Sequence, residues 1–279
     1  MKRLCIKLGG RLLTDAQDRH RMAEALARAF GEGDELLLVH GGGAQLGEAC
    51  AAMGLPEKKH EGLRVTDRAT ARVATWVLAG EVNKTLVHSL TRLGLPALGL
   101  CGADLGLFGP RRKEMPGVDL GYVGELSVED VDARKLDALI QAPSIPVLAT
   151  MGPDPEGRED DPFLNVNADE AASPIAAAAQ ADELLLLSDV EGVRGPDGNI
   201  LTTLDPEQTE ALMANGIIAG GMIPKIRAAW TALHEGVPSV RIASGEGVDP
   251  IQAALAGGGT QLVAPSTSPQ TTDREGADR

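Results

Sequence analysis

The apolar run Glu35-Leu36-Leu37-Leu38-Val39 is followed at once by His40-Gly41-Gly42-Gly43, and then by a helical stretch from Ala44 to Met53. No other feature limits the possible folds so tightly. A buried strand must end, turn on residues without side chains, and continue as a helix. Such a unit leaves bare backbone N–H groups around one point, with the positive end of a helix dipole behind them, which makes an anion cradle. An earlier strand, Arg3 to Leu8, carries Lys7 and ends in a second pair, Gly9-Gly10. Two glycine turns at adjacent strand ends, with a lysine between them, predict phosphate chemistry on an α/β sheet.

The rest of the chain repeats this alternation. Apolar runs predict strands at 3–8, 35–39, 97–101, 145–150, 183–188 and 238–243. Helical patterns cover 15–30, 44–53, 66–92, 127–141, 168–180, 205–215, 224–235 and 249–256. Ser127 to Asp130 has the form of a capping box with Asp in place of Glu. Asp205-Pro206 supplies an N-cap and first residue, and Gly216 a stop. Pro224 opens another helix and Gly236 closes it. A continuous run such as Leu184 to Leu187 suits a sheet covered on both faces. The alternation gives a mainly parallel, three-layer αβα sandwich. Gly152 to Pro162 reads as a charged surface loop. The segment 266–279 has no apolar positions and reads as a disordered tail.

Composition removes several classes. The 279 residues are 43% hydrophobic with a net charge of -14 and 2% aromatic residues. That charge opposes a nucleic-acid surface, and so few rings provide no base-stacking platform. No apolar run reaches membrane-spanning length and no signal-peptide core opens the chain, so a cytoplasmic protein without membrane partners is expected. Cys5, Cys50 and Cys101 lie in apolar segments and read as small buried hydrophobes. The five histidines are dispersed and read as surface or packing residues, so no protein metal site is expected. There is no G-x-x-x-x-G-K-[ST], no protein-kinase signature set, and no G-x-S-x-G elbow to make the HGGG string a hydrolase oxyanion turn.

Four further stretches carry chemistry. In Gly62-Leu63-Arg64-Val65-Thr66-Asp67, the guanidinium of Arg64 is of a kind that pairs with a carboxylate through two hydrogen bonds, while a lone arginine in a loop reads equally as a surface residue. In Asn165-Val166-Asn167-Ala168-Asp169, alternate asparagines share one side of an extended segment, and an Asx turn with a helix cap accounts for part of the pattern. Ser188 and Asp189 end a buried strand, where open α/β sheets bind ligands. In Gly220-Gly221-Met222-Ile223-Pro224-Lys225, a lysine in the first helical turn opposes the dipole unless an anion lies nearby.

These pieces in this order resemble the N-acetyl-L-glutamate kinases of the amino-acid kinase superfamily. The match includes Ile6 to Gly10, His40 to Gly43, Gly62 to Asp67, Val82 to Thr85, Gly121 to Gly124, Asn165 to Asp169, Leu187 to Gly192, Gly220 to Lys225 and Gly258 to Thr260. It spans almost all of residues 3–263. The resemblance implies an open eight-stranded, mostly parallel sheet with two lobes. An N-lobe, 1–175, holds the acylated amino acid and the dimer contact; a C-lobe, 176–265, holds ATP. It implies attack of the substrate's γ-carboxylate on the γ-phosphorus of MgATP, a step of arginine biosynthesis. It makes Lys7 and Lys225 the phosphoryl-binding lysines and Asp169 the acid that holds both. Gly10, Gly41 and Gly42 supply N–H groups, with Gly9 and Gly221 in the same phosphate turns. Arg64 and Asn165 bind the α-carboxylate, and Ser188 and Asp189 belong to the nucleotide side. The turn Cys101 to Gly106, expected on the substrate side, lacks a lysine that much of the family carries. N-succinyl-L-glutamate therefore stands as an alternative substrate, as do carrier-linked aminoadipate and a non-catalytic sensor role. Because Lys7 comes so early, the expected assembly is an arginine-insensitive homodimer paired through 66–92.

Overall fold

Six of the strands of the main sheet fall where apolar runs stand in the sequence. In the computed structural model, which describes residues 1–60 and 62–263, they are β1 (Arg3–Leu8), β2 (Glu35–His40), β3 (Ala97–Leu100), β4 (Ile145–Ala149), β5 (Glu183–Ser188) and, after a short β6 (Thr203–Leu204), β7 (Ser239–Ser244). A last strand, β8 (Thr260–Leu262), completes the eight, in the order β6-β8-β7-β5-β1-β2-β4-β3. Pairing is parallel from β3 through to β7; β8 runs antiparallel to β7, and β6 parallel to β8. The expected three-layer sandwich is thus the observed fold. The tail expected at 266–279 lies outside the described residues.

The period of two along each strand sorts the core into two layers. Leu4, Ile6, Leu36 and Leu38 pack with Met22, Leu26, Leu86 and Leu90 on one face. Cys5, Leu37, Val39, Leu184 and Leu186 pack on the other with Ile175, Ile226 and Ala229. Lys7 shares the face of Cys5, so it points toward the helices Ala168–Ala178 and Met222–His234. All three cysteines are buried and free.

Several boundaries differ from the sequence reading. The stretch 66–92 is helical from Arg68, but Thr75–Val82 is π-helical between two α-helical segments. The stretch 127–141 divides into a 3-10 turn, Val128–Asp130, and a helix, Ala133–Gln141, because Val131 is extended and Asp132 caps the second piece. The helix of Lys225 begins at Met222 rather than Pro224. Proline fits there because the first-turn N–H groups lack helical partners in any case.

Also unforeseen are a second sheet, built from Arg111–Arg112, Val123–Glu125, Met151–Gly152 and Leu164–Val166, and the hairpin Lys59–His60 with Leu63–Arg64. Strands of two or three residues show no alternation to read. They matter here because they carry Arg64 and Asn165. Among the described residues, no helix is long and apolar enough to cross a membrane.

Candidate functional site

The carboxyl ends of β1, β2 and β5 meet at one cavity, as expected where ligands bind open parallel sheets. Its walls include Lys7, Gly9, Gly10, Gly41, Gly42, Arg64, Asn165, Asp169, Ser188, Asp189 and Lys225. Gly221 is not among the lining residues; it is the N-cap of the helix that bears Lys225. Residues 101–106 do not line the cavity either. Asp104 there accepts a hydrogen bond from the Cys101 N–H at 2.7 Å and closes its own turn.

At the centre stands one carboxylate between two ammonium groups. Lys7 Nζ lies 2.6 Å from Asp169 Oδ1, and Lys225 Nζ donates to Asp169 Oδ2 at 3.0 Å. Lys7 is 4% exposed and Asp169 8%. Asp169 opens the helix Ala168–Ala178, where a negative charge suits the dipole. Burial alone would raise its pKa, but the two lysines outweigh this and hold it below the usual carboxylate range. For Lys7, burial dominates and lowers the pKa, with Asp169 opposing and Lys225 assisting. The dipole conflict at Lys225 is met by this carboxylate.

The asparagines divide their labour. Asn167 accepts from the N–H groups of Asp169 and Glu170, at 2.9 and 3.3 Å, and so is the helix cap. Asn165 stays on the cavity wall with no such duty.

The glycine turns face each other. A Cβ on Gly10 would sit 3.2 Å from Gly43 N and 3.3 Å from Gly42 N, so a side chain there would press the facing turn back by a few tenths of an ångström. Two N–H groups are already engaged: Gly9 donates to the Leu187 carbonyl at 2.9 Å and Gly41 to the Leu8 carbonyl at 3.3 Å. Among the described residues, the N–H groups of these turns left for an anion are those of Gly10, Gly42 and Gly43. Gly9 and Gly41 serve as close-packing positions, against Ser188 and Ala168.

Arg64 is mostly buried, its Nη2 2.7 Å from Glu57 Oε1 and donating to the Gly43 carbonyl at 3.3 Å. Ser188 is 3% exposed and its Oγ has no partner among the described residues. A buried hydroxyl without a partner costs about 1–3 kcal/mol, which a ligand oxygen would offset. Asp189 pairs with Arg11 at 2.9 Å.

Sequence reasoning passed over Arg11, Lys59 and Thr150, which also line the cavity. For Arg11 a signal existed, its place directly after Gly10. Lys59 stands just before the Gly62 to Asp67 motif and pairs with Arg64 across a short hairpin, and Thr150 ends the apolar run 145–150, so each carried a local signal as well.

Comparison with known proteins agrees with this geometry. Residues 2–244 match the model of the Amino acid kinase family. The chain is 39% identical to an acetylglutamate kinase of Koribacter versatilis, over 94% of this chain and 99% of that one. It is 42% identical to an acetylglutamate kinase of Methanopyrus kandleri, over 87% and 95%. A carbamate kinase from Giardia lamblia bound to AMP-PNP superposes with a TM-score of 0.70 at 17% identity, covering 94% of this chain and 98% of that one, a likeness of fold. With facing glycine turns and a shared-carboxylate lysine pair at the strand ends, and with a family match over most of its length, this chain belongs to the amino acid kinase family.

Proposed function

We propose that the chain transfers the γ-phosphoryl group of ATP to the γ-carboxylate of N-acetyl-L-glutamate, giving an acyl phosphate and ADP in arginine biosynthesis. The observation that carries this is Asp169 bridging Lys7 and Lys225 beside the free N–H groups of Gly10, Gly42 and Gly43. The similarity to acetylglutamate kinases supplies the acceptor.

The chemistry needs no general base, because a carboxylate with a pKa near ~4.3 is already ionised at neutral pH. One acceptor oxygen bonds to the γ-phosphorus as the bond to the β,γ-bridging oxygen breaks, and ADP keeps that electron pair. The protein's task is to bring two anions together and stabilise charge on the transferring oxygens. Lys7 and the glycine N–H groups act on the transferring group, and Lys225 on the leaving phosphates. Ser188 donates its free hydroxyl on the nucleotide side, with Asp189 beside it. Arg64 and Asn165 hold the α-carboxylate. Mg2+ adds charge neutralisation on the phosphates.

We assign acceptor binding to residues 1–175 and nucleotide binding to 176–265, in a cytoplasmic homodimer paired through 66–92, where Trp76 is 54% exposed. A monomer in sedimentation velocity would rule out the pairing.

Arg64→Ala is expected to raise KM for the amino acid by tenfold or more, on the order of the ~1.5–3 kcal/mol of a charged hydrogen bond, with kcat changed far less. An unchanged KM would remove Arg64 from the acceptor site. The function itself is tested by incubation with MgATP and either N-acetyl- or N-succinyl-L-glutamate, trapping acyl phosphate with hydroxylamine. Hydroxamate from the acetyl compound supports the proposal. Preference for the succinyl compound would reassign the acceptor, and no product from either would overturn it.

A further inference from the structure

His40 stands directly before the glycine turn, yet it is no surface residue. It is fully buried at the end of β2, on the face that packs against the 68–91 helical stretch. Its Nδ1 lies 2.9 Å from the Gly41 carbonyl oxygen, and its Nε2 lies 3.0 Å from Asn83 Nδ2. Asn83 Nδ2 also donates to the Val147 carbonyl at 2.9 Å, and Asn83 Oδ1 accepts from Lys84 Nζ at 3.0 Å. Lys84 in turn donates to the Gly99 carbonyl at 2.8 Å.

This chain of bonds has one consistent proton assignment. A carbonyl oxygen accepts and never donates, so Val147 fixes the amide of Asn83 with its NH2 toward the histidine. Asn83 then donates to Nε2, which must be bare, and the proton sits on Nδ1 and points at Gly41. Burial lowers the His40 pKa to about 4, helped by Lys84 and opposed by the Gly41 contact, so the neutral ring persists at working pH.

The consequence lies in the next peptide unit. In a planar trans peptide the C=O of one residue and the N–H of the next point in opposite directions. A Gly41 carbonyl turned toward His40 leaves the Gly42 N–H turned away from it. We infer that His40, oriented by Asn83, is a positioning residue for phosphoryl transfer: it clamps the Gly41 carbonyl and so aims the Gly42 N–H into the phosphate cradle. The link runs from Asn83, the first residue after the π-helical segment, to the glycine turn. It thus couples the helical stretch to the donor that meets the phosphoryl group. This rests on the proposed function.

The test uses two substitutions that split the two ends of the ring. In His40→Asn the amide nitrogen takes the place of Nδ1 and keeps the clamp. In His40→Gln the amide oxygen takes the place of Nε2, keeping the Asn83 bond and losing the clamp. His40→Asn is expected to hold kcat/KM within about threefold of wild type, and His40→Gln to lose at least about tenfold, less than the ~10²–10³ of an absent oxyanion donor. A purely structural role would favour Gln, the closer match in volume, and would follow Tm. Equal kcat/KM for the two, the reverse order, or losses that track Tm would overturn the inference. Calorimetric titration with magnesium AMP-PNP gives the same comparison without turnover, so an inactive wild type would sink the proposed function and leave the clamp still decidable. Weaker binding by His40→Gln than by His40→Asn is the expected result there, and equal binding the contrary one.

Discussion

Lys7→Ala is expected to lower kcat by about a hundredfold or more while the protein stays folded. The lysine is held against one carboxylate at a site where Gly10 and Gly42 bring their N–H groups together. In the reaction, charge spreads over the transferring oxygens, and a buried ammonium group acts on it with little screening from water. Its removal therefore weakens the transition state more than the ground state and appears in kcat. The fold survives because Asp169 keeps its bond to Lys225, so no carboxylate is stranded. Steady-state kinetics together with a thermal melt check both halves. Near-normal kcat would remove Lys7 from the chemistry, and a collapsed melt would show that it serves stability first.

The second large effect is on stability. Asp169→Ala leaves two ammonium groups facing each other with no anion between them, at 5% and 14% side-chain exposure. Breaking a buried pair from one side costs about 3–5 kcal/mol. Part of that loss is relieved if a lysine gives up its proton, and Lys7 is already biased that way by burial. The sign follows from linkage. A base whose folded pKa lies below its unfolded value releases protons on folding, so stability rises with pH across that interval. The deficit of Asp169→Ala relative to wild type should therefore be large at neutral pH and shrink as pH climbs toward the ordinary lysine value of ~10.4. Urea unfolding of both proteins at two pH values measures this. A deficit that stays constant with pH would mean that the lost carboxylate acts through the helix N-terminus alone.

Much of this site was legible because its pieces are local. Gly41 to Gly43 follow an apolar strand and precede a helix, and no side chains are needed to see an anion cradle there. Lys7 is placed by the period of two along β1. Arg64 was marked by its motif, but what holds it in place, Glu57, was not. The short strands around Arg64 and Asn165 had no readable period, being two or three residues long and held by pairing to distant segments. The turn at Cys101 to Gly106, which the resemblance puts towards the substrate side, closes on itself through Asp104.

Spacing alone puts asparagines 165 and 167 on one side of the segment, and the resemblance marks Gly10, Gly41 and Gly42 alike as N–H donors. Local spacing cannot tell which N–H is already bonded. That depends on which strand runs alongside: β5 takes the Gly9 donor through Leu187, and β1 takes the Gly41 donor through Leu8. The sequence by itself determined the layered α/β fold and the chemistry of the glycine turns, because apolar periodicity and bare backbone are properties of neighbouring residues. Which donors remain free, the two lysines sharing Asp169, and the burial of His40 between Gly41 and Asn83 were decided by tertiary structure. Each joins segments far apart in the chain, which meet only when parallel strands pair and the helices that bear Asn83, Asp169 and Lys225 pack on the sheet.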